Sequence, residues 1–459
     1  MTDSWAPELA AKTAPLYHAI ADAIEQDILK GVLRTGIKMP THRALATRLK
    51  VTVATVTRAY AEASSRGLLV GEVGRGTFVR GAAPPTQAGN SETNLVDFRL
   101  NQPPTAEVES ILERELGTLG EHVRSMRLLG YQLAPGRPHQ RAAGARWAAL
   151  AGVDTDPGRV IITNGAQQAL MATFTVLTQP GDLIVTESLT YPGIRSLAEL
   201  FHVKIKGLEI DDGGVVPASF EAVCKVGPVA GIYLTPTIHN PTATTLSLQR
   251  RLEIARIAKH YNVPIVEDDI YGPLVGGNPT PIFTIVDHDC YYICGTSKTV
   301  APGLRIGYLV APARMVQYLS NAVHATTWSA PPLNVEIVTS WIETGIAKRI
   351  LEMHREESTR RLVLARRILA GFDAVIPDVG YHVWLRLPEE WRNTDFVQVA
   401  HANGVAVSPS NLFAVVPTDA QPAVRISLGL PDNADLVEKG LIRLRETLLG
   451  YNMPKNLII

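Results

Sequence analysis

Residues 294–309, CGTSKTVAPGLRIGYL, place an amine, two hydroxyls and a guanidinium close together along the chain. Lys298 directly follows Thr296 and Ser297, and Arg305 comes seven residues later. Hydroxyl and guanidinium groups bind phosphate, and a lysine amine can condense with a carbonyl group. A lysine after a strand is more often a surface residue, so the chemical interpretation depends on polar residues elsewhere in the chain.

Further polar residues follow predicted strands, and each has an ordinary explanation when taken alone. Residues 165–167 lie between a strand and a helix, where free backbone N–H groups bind anions, although many such turns hold no ligand. Asn240 precedes a proline, which is also typical of a turn. Asp268 ends an apolar run, and strand ends commonly meet water. In chain order the series is Gly165, Ala166, Gln167, Tyr191, Asn240, Asp268, Tyr271, Thr296, Ser297, Lys298 and Arg305.

The order and spacing of this series meet the requirements of pyridoxal 5'-phosphate. The phosphate needs a helix start, hydroxyls and an arginine, and the ring face needs an aromatic side chain. A fixed carboxylate keeps the pyridine nitrogen protonated, and neutral donors suit the ring oxygen. The aldehyde needs an amine for a Schiff base. The sequence therefore predicts Lys298 as the residue that binds this cofactor covalently.

The segment that carries these residues has the alternating pattern of an α/β fold. Short apolar runs alternate with helical patterns over residues 95–450, which predicts a largely parallel sheet. A small C-terminal α+β subdomain is expected over about residues 330–450. The predicted strands are residues 160–163, 183–186, 231–234, 264–267, 291–294, 305–310, 383–387, 405–407 and 424–428.

Residues 12–80 predict a separate DNA-binding domain. They contain eleven Lys or Arg against five Asp or Glu in a chain of zero formal net charge, which suits contact with a polyanion. Thr41 and Thr52 each precede a helical pattern as N-caps, so two helices joined by a tight turn are expected, followed by a glycine-rich β-wing. The second of these helices is expected to bury Val53, Val56, Tyr60 and Ala63.

The stretches PLYHAIADAI, VTVATVTRAY and GRGTFV make residues 15–80 similar to the winged helix-turn-helix of the GntR regulator family. The resemblance implies that the second helix enters the major groove of double-stranded DNA. Many members have an arginine directly after the N-cap of that helix, where Val53 stands in this chain. The DNA contacts that the resemblance implies are Arg43, Thr52, Thr55, Thr57, Arg58 and Arg75.

Residues 95–450 resemble the fold-type I pyridoxal-phosphate enzymes, the aspartate aminotransferase-like group. The resemblance implies that Lys298 forms the Schiff base and that Asp268 pairs with the pyridine nitrogen. Asn240 and Tyr271 would hold the ring oxygen, and Tyr191 would stack on the ring. The phosphate would be surrounded by Gly165, Ala166, Gln167, Thr296, Ser297 and Arg305.

Two further residues match this group, and one position departs from it. Arg425, in AVRISLG, matches the arginine that binds the substrate α-carboxylate. Tyr131, in LLGYQLAPG, matches a tyrosine that reaches the partner subunit's phosphate. Gly295 stands where relatives often have a hydroxyl residue, so Thr296 is expected to take over that contact. No second arginine for a distal carboxylate is evident in the sequence.

A GntR-type head and an aminotransferase-like body in one chain resemble the MocR subfamily of bacterial transcriptional regulators. The resemblance implies a head-to-tail homodimer that binds an operator and senses pyridoxal phosphate, an amino acid or an amine. Such a regulator need not be an enzyme, although residual aminotransferase chemistry is compatible with it. Two alternatives remain open: an active aminotransferase with a vestigial DNA-binding head, and a regulator of vitamin B6 supply that senses pyridoxal phosphate alone.

Composition restricts the class of protein further. The three cysteines, Cys224, Cys290 and Cys294, have no paired spacing, which argues against a disulfide framework and a metal site. The chain shows neither a signal-peptide pattern nor an apolar run of about 18 residues, so we expect a cytoplasmic protein without a membrane span. Residues 81–94, GAAPPTQAGNSETN, have no large apolar side chain and predict a flexible linker.

Overall fold

The polypeptide divides into two units, Met1–Glu92 and Thr93–Ile459. The computed structural model describes residues 5–7, 16–29, 32–33, 38–65, 68–72, 76–79, 95–126, 128–286 and 288–450. The predicted linker, residues 81–94, lies outside the described residues, and so does Arg75. Each unit has a hydrophobic core of its own, as independent domains do.

The N-terminal unit consists of α1 (Leu16–Leu29), α2 (His42–Leu49), α3 (Val53–Ser65), β1 (Leu69–Glu72) and β2 (Gly76–Val79). Helix α2 begins after Thr41, whose hydroxyl oxygen accepts a hydrogen bond from the Ala44 N–H at 3.2 Å. Lys50 then turns the chain with a left-handed φ of 51°, and the Thr52 hydroxyl caps α3. The antiparallel β1–β2 hairpin follows. The predicted winged helix-turn-helix is confirmed.

The buried face of α3 differs from the prediction at its first turn. Val56, Tyr60 and Ala63 are buried as expected, but Val53 is 45% exposed, whereas Ala59 is fully buried. The apolar stripe therefore begins one turn later than predicted, because the first residue of the helix lies beyond the helices that α3 packs against. The prediction for Val53 was wrong, and α3 begins with an exposed aliphatic side chain.

The second unit alternates helices and strands, and no helix among its described residues is long and apolar enough to cross a membrane. Its helices are α4 (Ala106–Met126), α5 (Pro138–Ala149), α6 (Gly165–Leu177), α7 (Pro192–Phe201), α8 (Pro217–Val226), α9 (Leu248–Tyr261), α10 (Gly272–Val275), α11 (Ile282–Ile285), α12 (Val316–Thr327), α13 (Pro332–Glu343), α14 (Ile346–Ile368), α15 (Asn393–Ala402) and α16 (Ala434–Gly450). Its strands are β3 (Val96–Asp97), β4 (Val160–Thr163), β5 (Leu183–Glu187), β6 (Lys204–Leu208), β7 (Ile210–Asp211), β8 (Gly214–Val215), β9 (Gly231–Leu234), β10 (Ile265–Asp268), β11 (Cys290–Gly295), β12 (Gly307–Val310), β13 (Ala374–Val375), β14 (His382–Arg386), β15 (Val405–Ala406), β16 (Ser408–Pro409) and β17 (Ala423–Ser427).

A seven-stranded sheet forms the centre of this unit, in the order β4-β12-β11-β10-β9-β5-β6. Only β12 runs antiparallel to its neighbours, and β9 to β12 are buried along their whole length. Continuous burial is typical of a sheet with both faces covered. Because the parallel strands end at the same edge, the residues that follow them come together there. The α/β prediction is confirmed.

Strand β12 begins at Gly307, two residues later than the predicted strand 305–310. Arg305 has a left-handed φ of 54° and ends a short 3-10 helix, Pro302–Leu304. A left-handed residue cannot continue a strand, so Arg305 belongs to the turn before β12. This turn directs its side chain to the edge of the sheet where β4 and β11 end.

The small subdomain is built around the sheet β13-β14-β17-β16 and includes a segment from the start of the unit. Strand β3 pairs with β15, and Phe98 is fully buried in the subdomain core. The predicted boundary near residue 330 needs correction, because α13 and the first part of α14 pack into the core of the large sheet. Only from about Leu362 does α14 contribute to the core of the small subdomain.

Replacing Thr41 by alanine should lower the stability of the N-terminal unit by about 1 kcal/mol, because the Ala44 N–H loses its acceptor at the helix start. Amide hydrogen exchange of α2 and α3 in the full-length protein measures this loss. Thr47→Ala is the matched control, since the exposed Thr47 hydroxyl only bonds back to the Arg43 carbonyl within the helix. Equal loss of protection in both variants would contradict the capping role.

Candidate ligand-binding site

A cavity of about 540 Å³ lies at the edge of the central sheet where the parallel strands end. Its volume is within the range of small-molecule sites. Most of the residues that were predicted to contact a cofactor or effector line it, whereas Gly165, Thr296 and Tyr131 do not. The lining residues from that set are Ala166, Gln167, Tyr191, Asn240, Asp268, Tyr271, Ser297, Lys298, Arg305 and Arg425.

Lys298 lies in the turn that follows β11, with its Nζ directed to the carbonyl oxygen of Asn101. Burial, together with the positive charges of Arg425 and Arg305, lowers the pKa of Lys298 to about 8, while Asp268 acts in the opposite direction. A lowered pKa increases the fraction of neutral amine near physiological pH. The neutral amine is the form that attacks an aldehyde.

Asp268 is the last residue of β10 and is 4% exposed. Its Oδ2 accepts a hydrogen bond from the Tyr233 hydroxyl at 2.8 Å, and its buried Oδ1 has no protein partner among the described residues. Burial raises the pKa of Asp268 to about 7, and the bond from Tyr233 opposes this rise. The free oxygen on a fixed carboxylate is available to a ligand atom that carries a proton.

The neighbours of Asp268 serve the fold and not the cavity, because side chains alternate along a strand. Glu267 faces the opposite side, where its carboxylate accepts the backbone N–H groups of Ile282 and Phe283 at 2.9 and 2.8 Å. Asp269 accepts the Tyr292 hydroxyl at 2.9 Å. Of the three consecutive acidic residues, only Asp268 can therefore meet a bound ligand.

An anion cradle is formed where the start of α6 meets the turn before β12. Gly165 has a φ of 74°, and a Cβ atom at this position would come within 2.5 Å of Arg305 Nη2. Only glycine suits both the left-handed conformation and this close approach. Arg305, Ser297, Ala166 and Gln167 line the cavity, so guanidinium, hydroxyl and backbone N–H donors are available there to a phosphate.

Tyr271 and Asn240 offer neutral donors to the cavity. The Tyr271 hydroxyl oxygen accepts a hydrogen bond from Asn101 Nδ2 at 2.8 Å, which leaves its own hydrogen to donate. Burial raises the pKa of Tyr271 well above its usual value, so the phenol stays neutral. Asn240 Oδ1 accepts from Arg425 Nη1 at 2.7 Å, which leaves its amide N–H groups for a ligand. Tyr191, at the start of α7, adds an aromatic ring.

Arg425 lies in β17 of the small subdomain and is 7% exposed. Its Nη2 donates to the Arg99 carbonyl oxygen at 2.6 Å, and its guanidinium lies 4.7 Å from the centre of the Phe413 ring. Its Nε is buried without a partner in the described structure. Burial lowers the pKa of Arg425 to about 10, so the group remains positively charged at neutral pH. A carboxylate is the natural partner of such a guanidinium.

Thr296 was predicted at the cofactor phosphate and lies outside the cavity, whereas Tyr131 was predicted to reach the phosphate of the partner subunit, and that prediction stays open. Thr296 is fully buried, and its hydroxyl donates to the Ile306 carbonyl at 3.1 Å, so it takes no place in the cavity. A Cβ atom at Gly295 would lie 3.0 Å from the same carbonyl oxygen, so the close packing of the Ile306 backbone favours glycine there. Tyr131 is 87% exposed, with its ring 4.9 Å from that of Trp328.

Two residues that line the cavity, Arg195 and Asn101, and one that supports Asp268 from the core, Tyr233, carried no signal in the sequence. Tyr233 sits in an apolar strand that predicts only core, and Arg195 follows Tyr191 in an ordinary amphipathic helix. Asn101 lies two residues before the pair Pro103-Pro104, which indicates a loop. It donates to Tyr271 and also lies 3.2 Å from His382 Nδ1, and its carbonyl accepts the Lys298 amine.

In the N-terminal unit, the predicted DNA contacts other than Arg75 lie on α2, α3 and the turn between them. Arg43 and Arg58 are exposed, and neither forms an ion pair within the described part of the chain. The threonines bond within the unit: the Thr52 and Thr55 hydroxyls are 2.8 Å apart, and the Thr57 hydroxyl donates to the Val53 carbonyl at 3.0 Å. The two guanidinium groups are therefore the freest of these candidates.

The cavity residues fit pyridoxal phosphate. Asp268 Oδ1 is a buried acceptor without a partner, as the protonated ring nitrogen requires. The glycine-dependent approach of Arg305 to Gly165 leaves a cradle for the phosphate. Lys298 supplies an amine of lowered pKa in the same cavity.

Known proteins resemble this chain over both units. The aminotransferase class I and II family matches residues 93–437, and the family of bacterial regulatory proteins, gntR family, matches residues 16–79. The uncharacterized HTH-type transcriptional regulator YdeF of Bacillus subtilis is 32% identical over 449 residues, which cover 97% of each chain. The HTH-type transcriptional regulator TauR of Rhodobacter capsulatus is 27% identical over 87% of this chain and 89% of its own.

A solved structure shares the fold of the larger unit. The kynurenine aminotransferase of Pyrococcus horikoshii superposes with a TM-score of 0.71 over 79% of this chain and 92% of its own, at 23% identity. One polypeptide thus combines an aminotransferase fold with a helix-turn-helix unit. The chain therefore belongs to the GntR-type transcriptional regulators that carry a class I and II aminotransferase domain, the arrangement of the MocR subfamily.

Proposed function

We propose that this regulator binds pyridoxal phosphate on Lys298 and changes its affinity for DNA when an amino acid or amine enters the same cavity. The observation that carries the proposal is the grouping of three features in one cavity. These are the Lys298 amine of lowered pKa, the free Oδ1 of Asp268 and the cradle between Gly165 and Arg305. The amine suits the aldehyde, the free carboxylate oxygen suits the ring nitrogen, and the cradle suits the phosphate. Their presence in one cavity therefore supports this ligand over a simple anion.

The cavity residues would divide the binding of the cofactor among them. When bound, pyridoxal phosphate supplies an aldehyde that condenses with primary amines and a ring that withdraws electrons. Asp268 would hold a proton at the ring nitrogen, and Tyr271 and Asn240 would donate to the ring oxygen. Tyr191 would cover one face of the ring. The phosphate would be held by the start of α6 (Gly165, Ala166, Gln167), Ser297 and Arg305.

Arg425 would bind the carboxylate of an amino-acid effector. It already holds Asn240 in the large part of the unit and the Arg99 carbonyl in the segment before α4. A carboxylate pairs with the planar fork of a guanidinium through two hydrogen bonds. An effector placed between Arg425 and Lys298 would thus contact the small and the large parts of the unit together.

Residues 99–101, here called the tether, would carry the signal towards the DNA-binding unit. Arg425 donates to the Arg99 carbonyl and Lys298 to the Asn101 carbonyl, so both ligand-binding cations hold the tether. In the sequence, the tether follows residues 81–94, which connect the two units. Attachment of the cofactor to Lys298 would change the bond to Asn101, and a carboxylate bound at Arg425 would change the bond to Arg99. The response requires different binding free energies for the two states of the protein.

We also propose that the protein acts in the cytoplasm as a homodimer on double-stranded DNA. A group of exposed apolar side chains supports the dimer: Leu129 is 91% exposed, Tyr131 87% and Leu133 63%, beside Trp328 at 48%. An apolar group of this kind on a soluble protein commonly marks an interface. A second copy of the chain would cover it, as the self-complementary contacts of a symmetric dimer do.

Loading the full-length protein with pyridoxal phosphate should give a visible absorption band that survives dialysis and is missing in Lys298→Ala. Amino acids and amines are then added to the loaded protein while absorbance and binding to the promoter DNA of its own gene are recorded. We expect one class of amino compound to change both signals. DNA affinity should fall steeply with salt, because cationic side chains contact phosphates.

The same experiment separates the alternatives. Release of a keto acid at a steady rate would favour an active aminotransferase. A change in DNA affinity upon addition of pyridoxal phosphate alone, with no further effect of amino compounds, would favour a sensor of the cofactor. A band that persists in Lys298→Ala would contradict the assignment of this lysine.

The rate at which the cofactor-free protein takes up pyridoxal phosphate should rise with pH through a midpoint near 8, because the neutral Lys298 amine is the nucleophile. Arg425 lowers the pKa of Lys298, so Arg425→Gln should move the midpoint to higher pH. Asp268 raises it, so Asp268→Asn should move the midpoint to lower pH. Stopped-flow absorbance measures these rates, and equal midpoints in all three proteins would contradict the electrostatic origin of the shift.

Leu129→Glu should convert the dimer to monomer at micromolar concentration, because a carboxylate would be buried without a partner in the interface. Sedimentation equilibrium measures the change. Val226→Glu is the matched control, since Val226 is 86% exposed and lies on α8, which contributes none of the residues of this group. A Leu129→Glu protein that remains dimeric would exclude these residues from the interface.

A further inference from the structure

Arg195, on α7, brings an additional positive charge to the cavity. Its side chain is half-buried, and its Nη1 donates to the Ala414 carbonyl oxygen at 2.5 Å. No carboxylate forms an ion pair with it in the part of the chain that the structure describes. A single carbonyl leaves most of the N–H donors and the whole charge of the guanidinium without a partner.

The cationic side chains that line the cavity outnumber its carboxylates. The ionised groups that line it are the cations Arg195, Lys298, Arg305 and Arg425 and the single carboxylate Asp268. Under the proposed function, the phosphate faces Arg305, an α-carboxylate faces Arg425, and Asp268 faces the ring nitrogen. Arg195 is then the cation to which neither the cofactor nor the α-carboxylate has been assigned. Desolvating an unmatched charge is unfavourable, so a ligand that supplies its partner would gain affinity.

Arg195 and Arg425 each contact one of two consecutive residues, Ala414 and Phe413. Arg425 lies over the Phe413 ring, and Arg195 bonds to the carbonyl of the next residue, Ala414. Apolar side chains, among them Leu412 and Ile270, line the cavity as well. An extended ligand along Phe413 could therefore place one acidic group at each arginine and its methylene groups against the apolar wall.

We infer that Arg195 binds a second acidic group of the effector, so that the cavity selects amino acids with a carboxylate in the side chain. This inference rests on the proposed function and adds the chemical class of the ligand. It also assigns the distal arginine that the sequence did not reveal. The alternative role for Arg195 is a contact with the cofactor phosphate, which the test distinguishes.

The test titrates the full-length protein, loaded with pyridoxal phosphate, with pairs of acidic and uncharged amino acids. The pairs are L-aspartate and L-asparagine, L-glutamate and L-glutamine, and L-2-aminoadipate and L-norleucine. The change in visible absorbance and isothermal calorimetry give the dissociation constants. In at least one pair, the acidic member should bind tenfold or more tightly, and Arg195→Gln should reduce that ratio to about one.

Two further variants test whether the preference for acidic amino acids depends on the charge and shape of the Arg195 side chain. Arg195→Lys should retain part of the preference, because it keeps the positive charge but not the planar fork. Arg256→Gln removes an exposed arginine from α9 and should leave the ratio unchanged. The affinity of Arg195→Gln for pyridoxal phosphate itself should equal that of the unmodified protein.

Three outcomes overturn the inference. The first is that no acidic amino acid is preferred by the unmodified protein, and the second is that the preference survives in Arg195→Gln. The third is that Arg195→Gln loses affinity for pyridoxal phosphate, which assigns the arginine to the phosphate. A protein that shows no response to any amino compound, or takes up no cofactor, contradicts the proposed function instead.

Discussion

The accumulation of cations around one buried carboxylate is the constraint on which the ligand-binding unit depends. Positive groups placed together at low solvent exposure repel one another and lose hydration. Burial and repulsion by Arg425 and Arg305 lower the pKa of Lys298, and burial lowers the pKa of Arg425. Backbone carbonyls of Arg99, Asn101 and Ala414 offset part of this cost by accepting hydrogen bonds from the cations. These carbonyls occupy positions that anionic groups of ligands would compete for.

The topology of the sheet explains why such a cluster can exist in a stable fold. The C-terminal ends of β4, β10 and β11 meet at one edge, and each contributes a different kind of group: backbone N–H donors after β4, a carboxylate at the end of β10 and an amine after β11. The antiparallel strand β12 then brings Arg305 to the same edge from the opposite direction. The hydrophobic layers on both faces of the sheet hold these ends in place. The hydrophobic core therefore stabilises the unit, whereas the clustered positive charges of the cavity destabilise it.

Much of this arrangement could be predicted from the sequence, because polar residues at the ends of parallel strands come together at one edge of the sheet. Asp268, Lys298 and Arg305 each follow or precede an apolar run, and the structure brings them to one cavity. The sequence could not reveal Tyr233, which looks like a core residue in an apolar strand, or Asn101, whose role depends on contacts far along the chain. Local pattern carries no information about such distant partners.

The misplaced residues have local physical causes. Thr296 was expected at the phosphate, yet its hydroxyl bonds to the Ile306 carbonyl within the same turn. Val53 was expected in the core, but the first residue of a helix can lie beyond its packing partners. The boundary of the small subdomain falls inside the continuous helix α14, and no break in sequence marks such a division.

The small subdomain incorporates the beginning of its own unit, through the pairing of β3 with β15 and the burial of Phe98. This restricts how such proteins can be assembled from parts during evolution. A different DNA-binding head could be joined upstream of Leu95 without disturbing the ligand cavity. A junction a few residues later would remove a strand from the subdomain and the carbonyls that hold Lys298 and Arg425. The two units can therefore be exchanged only at a junction that precedes β3, the first strand of the ligand-binding unit.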